Sequence, residues 1–149
     1  NALFLTDKQG IPLAMSEPIA GNHNDLHQIE KYFNKILDTL TKAKIRIDGL
    51  FLNADAGFDS KELRDLCKKL EIFPNIAINQ RNGTVDEDIF IDELLYEERY
   101  CIERTNAWMD SFRTLLNRFD VTASSWMGFN LIGFTVILLK KINKNKKSR

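Results

Sequence analysis

Asp55 is the first residue of this chain whose type and setting suggest chemistry. The stretch 51–60, FLNADAGFDS, opens with a short apolar run, delivers Asp55 at its end and breaks at Gly57. Open α/β sheets place functional groups where an apolar strand ends in a polar residue before a helix. We therefore expect Asp55 at the carboxyl end of a strand, in a position to bind a ligand.

A second carboxylate, Glu103, lies in the stretch 96–113, YEERYCIERTNAWMDSFR, whose pattern predicts one long helix. Tyr96, Arg99 and Glu103 recur at spacings of three and four, so they share one side of that helix. A lone glutamate on a helix is ordinarily a solvated charge. Together with Asp55, however, it offers the carboxylate oxygens that a hard divalent cation prefers.

The elements that would present these carboxylates alternate between strands and helices. Residues 2–6 and 11–16 are apolar segments joined by DKQG, which predicts a β-hairpin. An amphipathic helix begins near Leu26, with Asn24 or Asp25 as its cap. The later pattern predicts a strand at 50–54, a helix at 60–70, a strand core at 75–78, a polar loop at 79–88, the long helix at 96–113 and a final helix from Ser124 or Ser125 to about Lys141.

This order favours an α/β fold with a mixed sheet, antiparallel at first and parallel afterwards, flanked by helices. Periodicity alone leaves other α/β arrangements open. A chain of 149 residues with 44% apolar content is expected to form one domain over 1–149. The most apolar run, 126–139, is 14 residues long. A bilayer span needs about 20, so the run predicts a buried helix and no membrane partner.

Charge, cysteine and histidine patterns narrow the function classes. Basic and acidic residues balance at 21 each, but six of the basic ones lie in 140–149, a tail that either contacts phosphate or is solvated. Cys67 and Cys101 form no CxxC pair, which favours reduced thiols in a cytoplasmic protein. His23 and His27 have the spacing of a metal pair, but without a third ligand we interpret them as water-exposed.

The long helix also carries a specific motif, because Tyr96, Arg99 and Glu103 match a Tyr-x-x-Arg-x-x-x-Glu signature. Here the chain resembles the catalytic domain of bacterial insertion-sequence transposases of the DDE type. ADAGFDS resembles the segment that holds the second catalytic aspartate of that family, which places this role on Asp55. The resemblance extends to KQGIPL and GNHND, and so over nearly the whole chain.

The resemblance implies an RNase H-like core and also shows two departures. The family's first catalytic aspartate belongs on a strand before the hairpin, and Asp7, at the hairpin turn with Gly10, is no substitute. The chain is therefore expected to be the C-terminal part of a catalytic domain that lacks its first strand and is inactive alone. The family usually has a basic residue seven positions after the glutamate, where this chain has Asp110. Arg113, one turn further along that face, is expected to take over the contact.

The resemblance also implies a metal site and a DNA surface. Asp55 and Glu103 would be both catalytic and metal-binding, holding Mg²⁺ or Mn²⁺, with two ions about 4 Å apart in the complete site. Surface ion pairs with nearby acids remain an alternative role for Arg99 and Arg104, and an ordinary turn remains one for Arg81. The residues implied to contact DNA are Tyr96, Arg81, Arg99, Arg104 and Arg113.

The implied partners are transposon-end and target DNA, with a homodimer assembled on that DNA. The implied location is the bacterial cytoplasm, in association with the nucleoid. Two other functions stay open at this point. One is a non-catalytic remnant that binds DNA or oligomerises, and the other is a related nuclease that cuts without joining.

Overall fold

The computed structural model describes residues 2–23, 26–82, 89–117 and 122–147. They belong to two compact units, which we call the parallel-strand unit (Ile19–Arg99) and the hairpin unit (Ala2–Pro18 with Tyr100–Arg149). In chain order the elements are β1 (Phe4–Thr6), β2 (Pro12–Met15), α1 (Ile29–Lys42), β3 (Phe51–Ala54), α2 (Lys61–Lys69), β4 (Phe73–Ile76), α3 (Glu93–Glu97), α4 (Cys101–Asp110), α5 (Arg113–Leu116) and α6 (Ala123–Lys147). Short 3-10 segments lie at Ala56–Phe58, Gln80–Asn82 and Glu98–Tyr100.

The structure confirms the α/β class but divides the strands differently from our expectation. The described strands form two separate two-stranded sheets, β1–β2 and β3–β4, and not the single mixed sheet that the sequence suggested. The hairpin pair is antiparallel and the β3–β4 pair is parallel. Each strand is only three or four residues long and pairs with its neighbour in the chain, across a turn for β1–β2 and across α2 for β3–β4.

The predicted hairpin forms, and the conformation of its turn accounts for the presence of Asp7 and Gly10. One side-chain oxygen of Asp7 accepts hydrogen bonds from the backbone N–H groups of Gln9 and Ile11, at 2.8 Å each. The N–H of Gly10 donates to the carbonyl of Asp7 at 2.9 Å, and Gly10 has a φ of +78°, which favours glycine. Asp7 therefore fixes the turn, as the sequence predicted.

The first amphipathic helix also forms, with a later start than expected. α1 begins at Ile29, and Gln28 precedes it in a left-handed conformation without a side-chain cap. Its apolar stripe is buried, as the periodicity predicted, through Ile29, Tyr32, Phe33, Ile36, Leu37 and Leu40. The predicted caps Asn24 and Asp25 lie outside the described residues.

The predicted long helix over 96–113 is wrong, because the chain leaves the α-helical path twice. A 3-10 segment at Glu98–Tyr100 separates α3 from α4, and α4 ends at Asp110. The hydroxyl of Ser111 donates to the carbonyl of Trp108 at 2.6 Å, and Phe112 adopts an extended conformation. Serine side chains compete with the helix backbone in this way. Arg113 consequently begins a separate short helix, α5.

A buried cluster lies at the centre of the hairpin unit and holds α4 and α6 against the hairpin. It consists of Met15, Met109, Phe134 and Ile137. The ring of Phe4 packs edge-on against that of Phe134, with centroids 5.3 Å apart. Edge-to-face packing of this kind is favourable for aromatic rings. The hairpin and the two helices therefore share one core.

The final helix, α6, is mostly exposed within the described residues, so our expectation of a buried helix over 126–139 is wrong. Phe134 and Ile137 face the core, whereas Ile132 and Leu139 are more than half exposed. By length and composition alone, Ala123–Lys144 would also suffice to cross a bilayer. Core helices of globular proteins meet the same criterion of length and composition.

The loss of one hydroxyl should destabilise α2 measurably. Ser60 caps this helix, and its side chain accepts a hydrogen bond from the N–H of Leu63 at 3.2 Å. Replacing such a cap by alanine costs about 1 kcal/mol. We expect Ser60→Ala to lower the free energy of unfolding by about that amount in urea titrations followed by circular dichroism. Ser60→Thr keeps the acceptor and should lose less, so equal losses in both variants would contradict the capping role.

The two cysteines are free thiols, and Cys67, on α2, is fully buried. Burial raises the pKa of the Cys67 thiol to about 11, although the nearby Arg64 opposes this increase. Because the thiolate is the nucleophile, we expect iodoacetamide at pH 8 to label Cys67 at least about 100-fold more slowly in the native protein than in the urea-unfolded chain. Peptide mass spectrometry locates the label, and similar rates in both states would contradict the assigned environment.

Candidate active site

Asp55 lies where the sequence predicted, immediately after β3. It precedes the 3-10 segment Ala56–Phe58, and one of its side-chain oxygens accepts a hydrogen bond from the N–H of Gly57 at 2.8 Å. The carboxylate is exposed. Since β3 and β4 run parallel and Ala54 pairs with Ile76, the segments after both strands emerge at the same edge of the sheet. Asp55 therefore sits at the edge where parallel sheets place functional groups.

The segment that follows Asp55 contains a buried ion pair that the sequence patterns did not predict. Asp59 accepts a hydrogen bond from Nε of Arg64 and lies within 2.8 Å of its Nη2. Its other oxygen accepts the N–H of Asn79 at 2.7 Å. The sequence patterns predict no role for Asp59. An acid followed by an arginine at the beginning of α2 was the available signal, but such a pair is ordinarily exposed.

A polar network joins α3 to the face of the parallel strands. The side-chain amide of Asn75 donates to Oδ1 of Asn53 at 2.8 Å and to the carbonyl of Asp92 at 3.1 Å. In return, Asn75 Oδ1 accepts the N–H of Asp92 at 2.9 Å, and the amide of Asn53 donates to the carbonyl of Leu95, also at 2.9 Å. These contacts fix the start of the segment that carries Tyr96 and Arg99.

Tyr96 and Arg99, two residues of the predicted DNA surface, lie together. The Arg99 guanidinium carbon is 4.4 Å from the centroid of the Tyr96 ring, within the range of a cation–π interaction. The structure therefore joins the first two members of the signature through their side chains. Their predicted contact with DNA remains a prediction.

Glu103 lies in the first turn of α4 and is exposed. The hairpin turn anchors the helix around it, because the hydroxyl of Thr105, which is completely buried, donates to the carbonyl of Gly10. A Cβ added to Gly10 would come within 2.6 Å of the carbonyl oxygen of Cys101. The turn therefore lies against residues on both sides of Glu103, next to the backbone of Cys101 and hydrogen-bonded to the side chain of Thr105.

The other predicted DNA contacts are located in different ways. Nη1 of Arg104 donates to the carbonyl of Gln9 at 3.0 Å, a contact within the hairpin unit that the sequence did not indicate. Arg113 is exposed, but it lies beyond the break after α4, so it is not on the same continuous helix as Glu103, contrary to our expectation. Arg81 is exposed in the segment Gln80–Asn82, and its N–H donates to the side-chain oxygen of Asn79.

The carboxylates of Asp55 and Glu103 have the donor chemistry that Mg²⁺ or Mn²⁺ prefers. Asp55 belongs to the parallel-strand unit and Glu103 to the hairpin unit. Across the described ranges, no group of three or more His, Cys, Asp or Glu residues could hold a metal ion. His23 and His27 stack with ring centroids 3.7 Å apart, and no such group includes them.

A protein-family profile matches most of this chain. The profile described as "Transposase DDE domain" matches residues 1–125. The matched region contains both strand pairs, Asp55 and Glu103, and it ends near the start of α6. Neither the curated proteins nor the solved structures gave a match.

Proposed function

Because the chain belongs to the transposase DDE domain family, we propose that it comes from the catalytic domain of a bacterial insertion-sequence transposase. Membership implies an enzyme that acts on DNA by cleavage or nucleotidyl transfer. The finer proposal is that the enzyme cuts phosphodiester bonds at the ends of its element and joins them to target DNA. The observation that carries it is the exposed Asp55 carboxylate at the carboxyl end of β3.

Asp55 and Glu103 are the residues proposed to hold Mg²⁺ or Mn²⁺. When bound, a pair of such ions stabilises the attacking and leaving oxygens of an in-line displacement at phosphorus. The chain's own contribution is to orient the ligands. The N–H of Gly57 holds one oxygen of Asp55, and the hairpin turn holds the helix that carries Glu103. Ligands that are already oriented lose less entropy when they bind a metal or a substrate.

Positioning of DNA is assigned to Tyr96, Arg81, Arg99, Arg104 and Arg113. Arginine contacts to phosphate fix the register of DNA without reading its sequence. Arg81 and Arg113 are exposed, which suits such contacts. Arg104 already donates to Gln9, but a guanidinium has five N–H donors, so this bond leaves others for phosphate.

The same proposal covers the wider assembly. The two small sheets would belong to an RNase H-like fold, and the active form would be a homodimer that holds two transposon ends. It would act on the nucleoid in the bacterial cytoplasm.

The test is a cleavage and joining assay with the full-length protein, DNA that carries the element's ends, and Mg²⁺ or Mn²⁺. We expect nicks at the ends, joined products with target DNA, and loss of both on chelation by EDTA. DNA binding without any cleavage would favour a non-catalytic remnant. Cleavage without joining would favour a simple nuclease.

A further inference from the structure

The buried pair Asp59–Arg64 connects the segments that follow the two parallel strands. Asp59 lies between β3 and α2, whereas Asn79, whose N–H it accepts at 2.7 Å, follows β4. Nη2 of Arg64 also donates to the carbonyl of Ile76, the last residue of β4, at 2.8 Å. The pair therefore links the segment after β3 to the end of β4 through a bridge of two hydrogen bonds, from Asn79 to Asp59 and from Arg64 to Ile76.

Both side chains of the pair are largely shielded from water. The side chains of Arg64 and Asp59 are 16% and 10% exposed. Ion pairs on protein surfaces contribute little because water screens them, but a buried carboxylate that loses its partner is strongly disfavoured. The geometry at this bridge is consequently well defined.

A short and rigid link connects the bridge to Asp55. In the 3-10 segment Ala56–Phe58, the N–H of Phe58 donates to the carbonyl of Asp55 at 3.0 Å. The N–H of Asp59 donates to the carbonyl of Ala56 at 3.3 Å, and Gly57 donates to the side chain of Asp55. These hydrogen bonds connect the backbone at Asp59 to the Asp55 carboxylate.

We propose that Asp59 and Arg64 are positioning residues, which fix the Asp55 carboxylate relative to the segment Asn79–Arg81. This inference rests on the proposed function, in which Asp55 is a metal ligand and Arg81 contacts DNA. Through the bridge, the metal ligand after β3 and the phosphate contact after β4 keep a constant separation. Residues that orient a metal ligand affect metal affinity about 10- to 100-fold when they are changed.

The informative variant is Arg64→Lys, which keeps the charge. A lysine ammonium is a point charge without the planar fork of the guanidinium, so it cannot reproduce the contacts of Arg64 to both Asp59 and Ile76. The matched control is Arg46→Lys, because Arg46 forms an ion pair with Asp48 in the same unit and its side chain is 84% exposed. Asp55→Asn serves as the reference for loss of the metal ligand itself.

Two measurements on the full-length protein test the inference, both well below its melting temperature. Hydrogen exchange with mass spectrometry reports on residues 55–60 and 77–82, with α1 as internal reference. Titration with Mn²⁺, followed by electron paramagnetic resonance of the free ion, reports on metal affinity without catalysis. We expect Arg64→Lys to accelerate exchange in both segments and to raise the Kd for Mn²⁺ about 10-fold, while Arg46→Lys changes neither.

Each other outcome has a definite meaning. Unchanged exchange in both segments overturns the bridge, whatever the function. Suppose that Asp55→Asn loses Mn²⁺ binding, whereas Arg64→Lys shows faster exchange but an unchanged Kd for Mn²⁺. The ion pair then has a purely structural role, and the positioning role is overturned. If Asp55→Asn binds Mn²⁺ as wild type does, the proposed metal site fails, and the positioning role falls with it.

Discussion

Asp55→Asn and Glu103→Gln, each made separately in the full-length protein, are expected to reduce DNA cleavage at least about 100-fold, since changes to residues that merely support a metal ligand already cost 10- to 100-fold. Each change removes a charge and keeps the shape of the side chain. Asparagine at position 55 also retains an oxygen that can accept the N–H of Gly57. Because both carboxylates are exposed, the free energy of unfolding should change by less than about 0.5 kcal/mol. Gel-based nicking assays with Mg²⁺ and Mn²⁺ measure the loss.

Asp65→Asn and Glu97→Gln are the matched controls for this experiment. Both residues are exposed and lie on helices of the parallel-strand unit, and the proposal gives neither a role. They should cleave like wild type. Full activity in Asp55→Asn and Glu103→Gln would refute the metal-ligand assignment. If weaker DNA binding fully explains the reduced cleavage, the two carboxylates contribute to DNA binding and not to the chemical step.

Local sequence patterns predicted several of the elements in each unit. The turn residues Asp7 and Gly10 predicted the hairpin, and the apolar periodicity of 29–40 predicted α1. Asp55 was located correctly because a strand end is marked by a change from apolar to polar residues within the strand itself. Its catalytic role is not a consequence of that pattern and remains a proposal.

Contacts between residues distant in the chain could not be predicted in the same way. Arg64 and Asn79 meet at Asp59 only because β4 pairs with β3, and an acid near an arginine gives no indication of burial. Likewise, the hydrogen bond from the exposed Arg104 to the carbonyl of Gln9 could not be predicted, because nothing near Arg104 in the sequence indicates it. The break after α4 was missed for a different reason. At this break the hydroxyl of Ser111 donates to the carbonyl of Trp108. The spacing of apolar residues, from which the helix was predicted, contains no information about such a hydrogen bond.

Each unit gives its carboxylate a different kind of support. Asp55 follows a strand and is held by a 3-10 segment that leads to a buried ion pair. Glu103 is exposed on a helix whose neighbours Cys101 and Thr105 contact the turn at Gly10. The turn at Gly10 therefore supports the helix of Glu103, whereas the segment 56–59 supports Asp55.

Gly10→Ala is expected to destabilise the protein by about 3 kcal/mol, from two separate costs. The φ of +78° costs a residue with a Cβ about 1–2 kcal/mol. The new Cβ would also lie 2.6 Å from the carbonyl oxygen of Cys101 and 3.2 Å from Cβ of Arg104. Because the first of these atoms belongs to helix backbone, the turn must shift, and overpacking of this kind costs about 1–3 kcal/mol. Each kcal/mol lowers the Tm by about 2–4 °C in a chain of this size.

Gly49→Ala separates the two costs. Gly49 has a φ of +75°, but its added Cβ would meet no atom within 4 Å. Thermal unfolding followed by circular dichroism should therefore show a loss of only about 1–2 kcal/mol for Gly49→Ala, and a clearly larger loss for Gly10→Ala. The difference measures the contact between the hairpin turn and α4. Equal losses would mean that the turn does not press on the helix of Glu103, and that another contact must hold this carboxylate in place.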